Sequence, residues 1–237
     1  MKAMILAAGL GTRLRPLTDH RPKALVEVGG RTLLEICLER LRGFGVSEVI
    51  VNTHHYAEMI EAYLKANGNF GMRIEISRES ALLDTGGGLK QAAWFFLEGG
   101  KDELDEPFLV HNGDVTSSID LGAMVRFHCE RAALATLAVQ QRESSRYLVF
   151  NEDGVLCGRE TTFVRDCGET TALAFAGIHV LSPRVFSKME GTGAFSIIDA
   201  YLRLAGAGEK VVAFRADGSA WRDLGRPESI AAAEREM

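Results

Sequence analysis

Residues 2–8 read K-A-M-I-L-A-A, residues 9–18 continue as G-L-G-T-R-L-R-P-L-T, and residues 21–24 follow as R-P-K-A. An apolar strand therefore runs into a turn of small residues that ends in Arg13 and Arg15, with Lys23 close behind. Glycine lets the backbone approach a ligand with no Cβ in the way. Successive turn N–H groups form a concave anion site, and nearby cations neutralise phosphate charge. The stretch reads as a phosphate cradle. It is not a P-loop, because no lysine follows the second glycine, and not a dinucleotide fingerprint, because Leu14 stands at the third glycine position. A bare strand-to-helix turn is the plainer alternative, and Arg13, Arg15 and Lys23 within so short a span argue against it.

The rest of the first half alternates strand-like and helical patterns. Strands are predicted at 4–7, 48–52 and 72–77, and another starts at 108. Helices are predicted at 32–44, 56–66 and 89–97. The first has a Thr32/Glu35 capping box, an apolar face of Leu33, Leu34, Cys37, Leu38 and Leu41, and a stop at Gly45. The second shows Met59, Ile60, Tyr63 and Leu64 on one face, and the third follows three glycines. The second half predicts helices at 121–131, 195–205 and 228–236 and strands at 134–139, 148–150, 174–181 and 210–214. The order argues an α/β fold with a mostly parallel sheet, right-handed crossovers and one domain. Ligands of such sheets sit beyond the carboxyl ends of the strands, where Gly9 and Asn112 both lie.

Composition sets the outer limits. The chain has 237 residues, 46 % hydrophobic and 25 % charged, with a net charge of −5. This fits an ordinary globular protein and gives no nucleic-acid-binding balance. No stretch approaches the ~20 apolar residues of a membrane span, and the N-terminal apolar run is broken at Gly9. Cys37, Cys129, Cys157 and Cys167 form no C-x-x-C pair, which predicts reduced, buried thiols and a cytoplasmic protein. A homodimer is compatible with the sequence and has nothing in it to support it.

Several short segments carry chemistry. Asn112-Gly113-Asp114 ends an apolar run, and a carboxylate there, beside a phosphate site, is placed to hold Mg²⁺. The same tripeptide is also a common turn. Asp223, in W-R-D-L-G at 221–225, becomes a second metal carboxylate only if the fold brings it near Asp114. Asp84-Thr85-Gly86-Gly87-Gly88 suggests close approach of a base or ribose to the backbone, or a flexible loop. His54 and His55 read as loop residues and His20 as a phosphate contact or turn cap. His111, His128 and His179 stand in apolar contexts and read as hydrogen-bonded core or partly exposed imidazoles rather than ligands. No Ser-His-Asp or Cys-His set is evident.

Together these segments resemble the sugar-1-phosphate nucleotidylyltransferases. The signature L-A-A-G-x-G-T-R-L-x-P-L-T at 6–18, with Pro22 and Lys23, is joined by L-D-T-G-G-G at 83–88, N-G-D at 112–114, A-G-I at 176–178 and W-x-D-x-G at 221–225. The resemblance implies a Rossmann-like sheet with a nucleotide-binding half at 1–115 and a sugar-binding half at 116–237, and the short stretch after Asp223 leads us to expect no C-terminal β-helix domain. It implies a nucleoside triphosphate and a sugar 1-phosphate as substrates, Mg²⁺ as cofactor, and an NDP-sugar and pyrophosphate as products. Leu6, Ala8 and Gly9 would line the nucleoside, and Gly11, Thr12 and Arg13 would hold the leaving phosphates. Lys23 would act at the α-phosphorus, and Glu79, Thr85, Gly86 and Gly87 would face the base. Asp114 and Asp223 would bind Mg²⁺, and Asn112, Glu160 and Gly177 would meet the sugar phosphate.

Two departures stand at the sugar end. Leu148 follows Arg146-Tyr147 where many members have glycine, and Arg159-Glu160-Thr161-Thr162 stands where many have E-K-P, so a lysine is missing. Arg222, Arg159 and Arg15 are candidates for its charge. Within the family, the T-G-G-G segment and compact C-terminus most resemble N-acetylmuramate 1-phosphate uridylyltransferases. Mannose- or heptose-1-phosphate guanylyltransferases are rivals. Cytidylyl transfer to an alcohol phosphate such as phosphocholine, and a nucleotide-sensing subunit without turnover, are further alternatives.

Overall fold

The computed structural model describes residues 1–98, 106–160 and 162–236, so Thr161 of the segment around Glu160 lies outside the described residues. Strand β1 (Lys2–Leu6) runs into the glycine turn, which continues through single 3-10 turns at Thr12–Leu14 and Lys23–Leu25. A small hairpin of β2 (Glu27–Val28) and β3 (Arg31–Thr32) leads to α1 (Leu33–Gly43). The Thr32 hydroxyl accepts the Glu35 N–H at 3.1 Å, as the capping signal predicts. The Glu35 carboxylate instead accepts the Tyr63 hydroxyl at 2.8 Å, so only the first half of the capping box forms.

Next come β4 (Glu48–Thr53), α2 (Ala57–Ala66) and β5 (Arg73–Arg78). The buried stripe of α2 is Ala57, Ile60 and Leu64, narrower than predicted, and Met59 lies outside it at 39 % exposure. Helix α3 (Asp84–Gln91) and helix α4 (Ala93–Leu97) replace the single helix predicted at 89–97. The three glycines lie inside α3 and are buried, so they form no flexible loop. Then β6 (Phe108–Asn112) and β7 (Val115–Ser117) flank the N-G-D tripeptide.

The second half adds α5 (Leu121–Glu130), β8 (Ala135–Gln140), β9 (Tyr147–Asn151), β10 (Leu156–Arg159), β11 (Thr162–Phe163) and β12 (Thr170–Leu181). It ends with α6 (Val185–Lys188), α7 (Ile197–Gly206), β13 (Val211–Arg215), β14 (Trp221–Asp223) and α8 (Pro227–Arg235). Strands β6, β1, β4 and β5 are parallel neighbours, with Leu6 opposite both Asn52 and Asn112. Their carboxyl ends therefore lie side by side. Antiparallel β12 extends this sheet and changes partner along its length. Residues 170–174 pair with β9, residues 178–181 pair with β6, and Gly177 at φ +75° sits between them. The result is a mixed sheet flanked by helices: the α/β class is as predicted, and the sheet is less parallel than predicted because β9 to β12 pair antiparallel.

Two large apolar clusters cover the sheet. A third, smaller cluster contains Leu14, Val26, Val28, Leu33, Leu224 and Ile230. It joins the residue after Arg13 to the residue after Asp223. Among the described residues, no helix is long and apolar enough to cross a membrane.

The cysteines correct the sequence reading. Cys157 and Cys167 form a disulfide that ties β10 to the segment before β12, while Cys37 is buried and Cys129 exposed. The two Cα atoms are 6.2 Å apart, within bridging range. A ten-residue spacing carries no signal that the hairpin will fold them together.

Glycines in α3 exist for packing. A Cβ at Gly86 would lie 2.5 Å from the Phe195 ring and 2.9 Å from its carbonyl oxygen. Helix propensity alone would favour alanine there by ~1 kcal/mol. Overpacking against backbone costs ~1–3 kcal/mol and wins. Gly86→Ala is expected to lower the urea midpoint of unfolding; an unchanged or higher midpoint would refute the packing account.

Candidate active site

A cavity of about 430 Å³ opens at the shared carboxyl ends of β1, β4 and β6. Leu6, Ala7, Ala8 and Gly9 line one side, Asn52, Glu79 and Thr85 another, and Arg13, Lys23 and Asn112 to Asp114 the rest. A Cβ at Gly9 would meet nothing within 4 Å, so this backbone faces open cavity. Gly11 is different. It has φ +66°, and its Cβ would sit 2.9 Å from the Thr18 methyl and 3.1 Å from the Lys23 Cβ. Glycine is needed there for the left-handed turn and for the approach of the 18–23 segment. Gly11 and Thr12 do not line the cavity.

The charged groups converge. Lys23 Nζ forms an ion pair with Asp114 Oδ2, both side chains largely buried. Asp223 Oδ1 accepts the Gly225 N–H at 2.7 Å. A Cβ at Gly225 would lie 2.7 Å from Asp223 Oδ1, 3.0 Å from Lys23 Nζ and 3.2 Å from Arg13 Nη2. Strand pairing explains the meeting. Asp223 of β14 is opposite Val115 of β7, and the Leu224 N–H donates to the Asp114 carbonyl at 2.8 Å. The condition set for Asp223 by the sequence, proximity to Asp114, is met. Among the described residues there is no group of three or more His, Cys, Asp or Glu side chains suited to a metal. The Asp114 and Asp223 pair offers two hard oxygen donors, a set that suits Mg²⁺ completed by substrate phosphate and water.

A polar relay forms the opposite wall. Asn52 Oδ1 accepts the Ala7 N–H at 2.7 Å, and Asn52 Nδ2 donates to Glu79 Oε1 at 2.7 Å. Glu79 Oε2 accepts the Leu83 N–H at 2.9 Å. Asn52 was missed in the sequence, although its place at the end of an apolar strand resembles that of Asn112. Thr85 lines the cavity, whereas Gly86 and Gly87 do not, and their N–H groups donate to the Phe195 carbonyl at 2.9 and 3.2 Å. Intramolecular packing thus explains these glycines without a base or ribose. Gly177 abuts Asn112, whose Nδ2 would be 2.7 Å from a Cβ there. Glu160 lies outside the cavity, exposed in the turn after β10.

Three histidines and a thiol are buried in the core. Burial pushes His111 and His128 down to about 4 and His179 down to about 3. His179 Nδ1 meets the Tyr201 hydroxyl at 2.7 Å and His128 Nδ1 the Thr136 hydroxyl at 2.9 Å. His111 Nδ1 lies 3.7 Å from Cys37 Sγ, a Cys-His contact invisible in the sequence. Burial raises that thiol to about 12, so it stays protonated and is no nucleophile.

A family profile described as nucleotidyl transferase matches residues 2–237. The chain belongs to this family. It is 36 % identical to the N-acetylmuramate alpha-1-phosphate uridylyltransferase of Caulobacter vibrioides, over 98 % of this chain and 95 % of that protein. It is 33 % identical to the mannose-1-phosphate guanyltransferase of Yarrowia lipolytica, over 97 % of this chain but only 62 % of that protein. The crystal structure of HddC from Yersinia pseudotuberculosis complexed with GMP-PN superposes with a TM-score of 0.78. It covers 99 % of this chain and 98 % of that one at 22 % identity, a likeness of fold. The chain is accordingly a nucleotidyltransferase, as the resemblance implied.

The buried histidines contribute to the acid response of this nucleotidyltransferase. Their folded values lie below the unfolded ~6.5, so the neutral forms stabilise the fold above that pH. Below pH ~6.5 the unfolded chain takes up protons first. Stability should then fall by up to ~1.4 kcal/mol per pH unit per histidine until each folded value is reached. Urea midpoints between pH 7 and 4.5 should decline with acid, and His128→Gln should flatten the decline. A flat wild-type profile would contradict the buried neutral state.

Proposed function

We propose that this enzyme transfers a nucleoside monophosphate from a nucleoside triphosphate to a sugar 1-phosphate, releasing pyrophosphate, with UTP and N-acetylmuramate 1-phosphate as its pair. The observation that carries the reading is the meeting of Asp223 with Arg13, Lys23 and Asp114, three residues of the cavity lining. Near full-length similarity to the Caulobacter vibrioides uridylyltransferase supports the choice of substrates. Residues 1–115 supply the nucleotide half and residues 116–237 the sugar half. Nucleoside triphosphates are cytoplasmic substrates, which supports that location, and the Cys157–Cys167 disulfide runs against it.

In this reading the bare backbone of Leu6, Ala8 and Gly9 takes the nucleoside, and the Glu79 and Asn52 relay holds that wall rigid. Arg13 neutralises the phosphates that leave as pyrophosphate. Lys23, held by Asp114, places its charge at the α-phosphorus. A phosphate oxygen is already an adequate nucleophile, so no general base is needed and positioning and charge neutralisation carry the rate. Mg²⁺ held by Asp114 and Asp223 would supply Lewis-acid charge for an in-line displacement. Asn112 and Gly177 form the wall that the sugar meets.

A panel of the four nucleoside triphosphates against N-acetylmuramate, mannose and heptose 1-phosphates and phosphocholine, read by pyrophosphate release with and without Mg²⁺, tests the reading. Release is expected with UTP and N-acetylmuramate 1-phosphate and only with Mg²⁺. Preference for GTP with mannose or heptose 1-phosphate, or CTP with phosphocholine, would replace the substrate assignment. No release from any pair would overturn the reaction. Asp114→Ala and Asp223→Ala should each lower kcat by ~10²–10³, the ~2.7–4 kcal/mol of a lost preorganised charge interaction. Their unfolding midpoints should move far less, and near-normal turnover in both variants would refute the metal assignment.

A further inference from the structure

The sugar 1-phosphate brings a phosphate dianion toward two carboxylates. Arg13 and Lys23 both stand on the glycine-turn side, and Lys23 is already paired with Asp114. Electrostatic balance calls for a cation on the far side of Asp223. Arg142 is half-buried near Asp223, just after β8 ends at Gln140. Its guanidinium carbon lies 3.6 Å from the centroid of the Trp221 ring, and Trp221 shares β14 with Asp223. Nη2 donates to the Phe175 carbonyl at 2.8 Å, Nη1 reaches the Glu143 carbonyl at 3.3 Å, and Nε is buried without a partner.

Arg142 forms no salt bridge among the described residues, unlike the surface arginines Arg73 and Arg78. Burial pushes its pKa down, and the nearby Asp223 carboxylate is the largest opposing influence. The surrounding contacts run directly into the cavity wall. Trp221 Nε1 donates to the Ala176 carbonyl at 2.8 Å, Gly177 follows, and Gly177 abuts Asn112. A half-buried guanidinium with no direct ion pair retains part of its desolvation cost. Its planar fork, held over an indole face, suits bidentate capture of phosphate.

We propose that Arg142 receives the phosphate of the sugar 1-phosphate and orients its attacking oxygen toward the α-phosphorus; this rests on the nucleotidyl-transfer reading above. In the step it serves, a bond forms between that oxygen and the α-phosphorus. The bond from the α-phosphorus to the bridging oxygen breaks, and pyrophosphate leaves with the electron pair. Arg142 stays protonated throughout.

Steady-state kinetics of the full chain, varying UTP and N-acetylmuramate 1-phosphate separately, test the assignment; a different pair selected by the substrate panel takes their place. Arg142→Gln is expected to raise KM for the sugar phosphate at least tenfold and to leave KM for the nucleotide within twofold. Arg142→Lys, which keeps charge but loses the fork, should raise the sugar-phosphate KM by a smaller factor. A merely structural role, holding Trp221 and through it Asp223, would lower kcat and raise the Mg²⁺ needed for half-activity with the sugar-phosphate KM unchanged. That result overturns the proposal. If Arg142→Gln fails to fold, Arg142→Lys decides: a rise of threefold or more supports the assignment and an unchanged KM refutes it. A wild-type protein inactive on every pair would count against the reaction itself, whereas an active wild type with unaltered variants would count against Arg142 alone.

Discussion

A ladder of three residues holds the site together. Trp221 to Asp223 pair antiparallel with Ser117 to Val115, across more than a hundred residues of chain. This pairing sets Asp223 beside Asp114, and the Leu224 N–H on the Asp114 carbonyl locks the register. A one-residue slip would turn Asp223 to the other face and put Arg222 in its place, because side chains alternate along a strand. The cluster of Leu14, Leu224 and Ile230 anchors the same junction from below. Apolar burial thereby fixes where Arg13 and Asp223 emerge.

Parallel register does for the cavity what this ladder does for the carboxylates. Leu6 lies opposite both Asn52 and Asn112, so three strands end at one level. Backbone from β1 and side chains from β4 and β6 then face a common space, as expected beyond the carboxyl ends of an open parallel sheet. Gly113 serves that geometry directly, since a Cβ there would lie 2.8 Å from the Leu6 carbonyl oxygen. Its role in N-G-D is close approach between strand ends, which frees Asp114 to face Lys23.

The strain and the charge sit at opposite ends of the site. Asp84 adopts φ +58° at the start of α3, beside a cavity wall in which Asn52 and Glu79 are tied to each other and to the Ala7 and Leu83 backbone. At the far end, Arg142 stacks on Trp221 and leaves Nε unpartnered. The Asn52 and Glu79 wall is hydrogen-bonded within itself, and the acceptor side carries a guanidinium that forms no direct ion pair among the described residues. Such an arrangement keeps one wall rigid while leaving the other to be completed by an anion.

Local chemistry wrote much of this into the sequence. The strand and turn at 2–18, the Thr32 cap, the apolar face of α1 and the N-G-D tripeptide were legible because period, capping and turn residues act over a few positions. Arg13, Lys23 and Asp114 were nameable for the same reason. Only the tertiary structure decided that Asp223 joins Asp114, that Gly86 of α3 answers to Phe195, and that Cys157 bonds Cys167. It alone placed Asn52 between Ala7 and Glu79 and Arg142 on Trp221. Each of these depends on strand pairing or packing between distant segments, and neither leaves a periodic mark in the chain. The glycine turn could announce a phosphate site by itself, but the carboxylates that complete the site became neighbours only when β14 paired with β7.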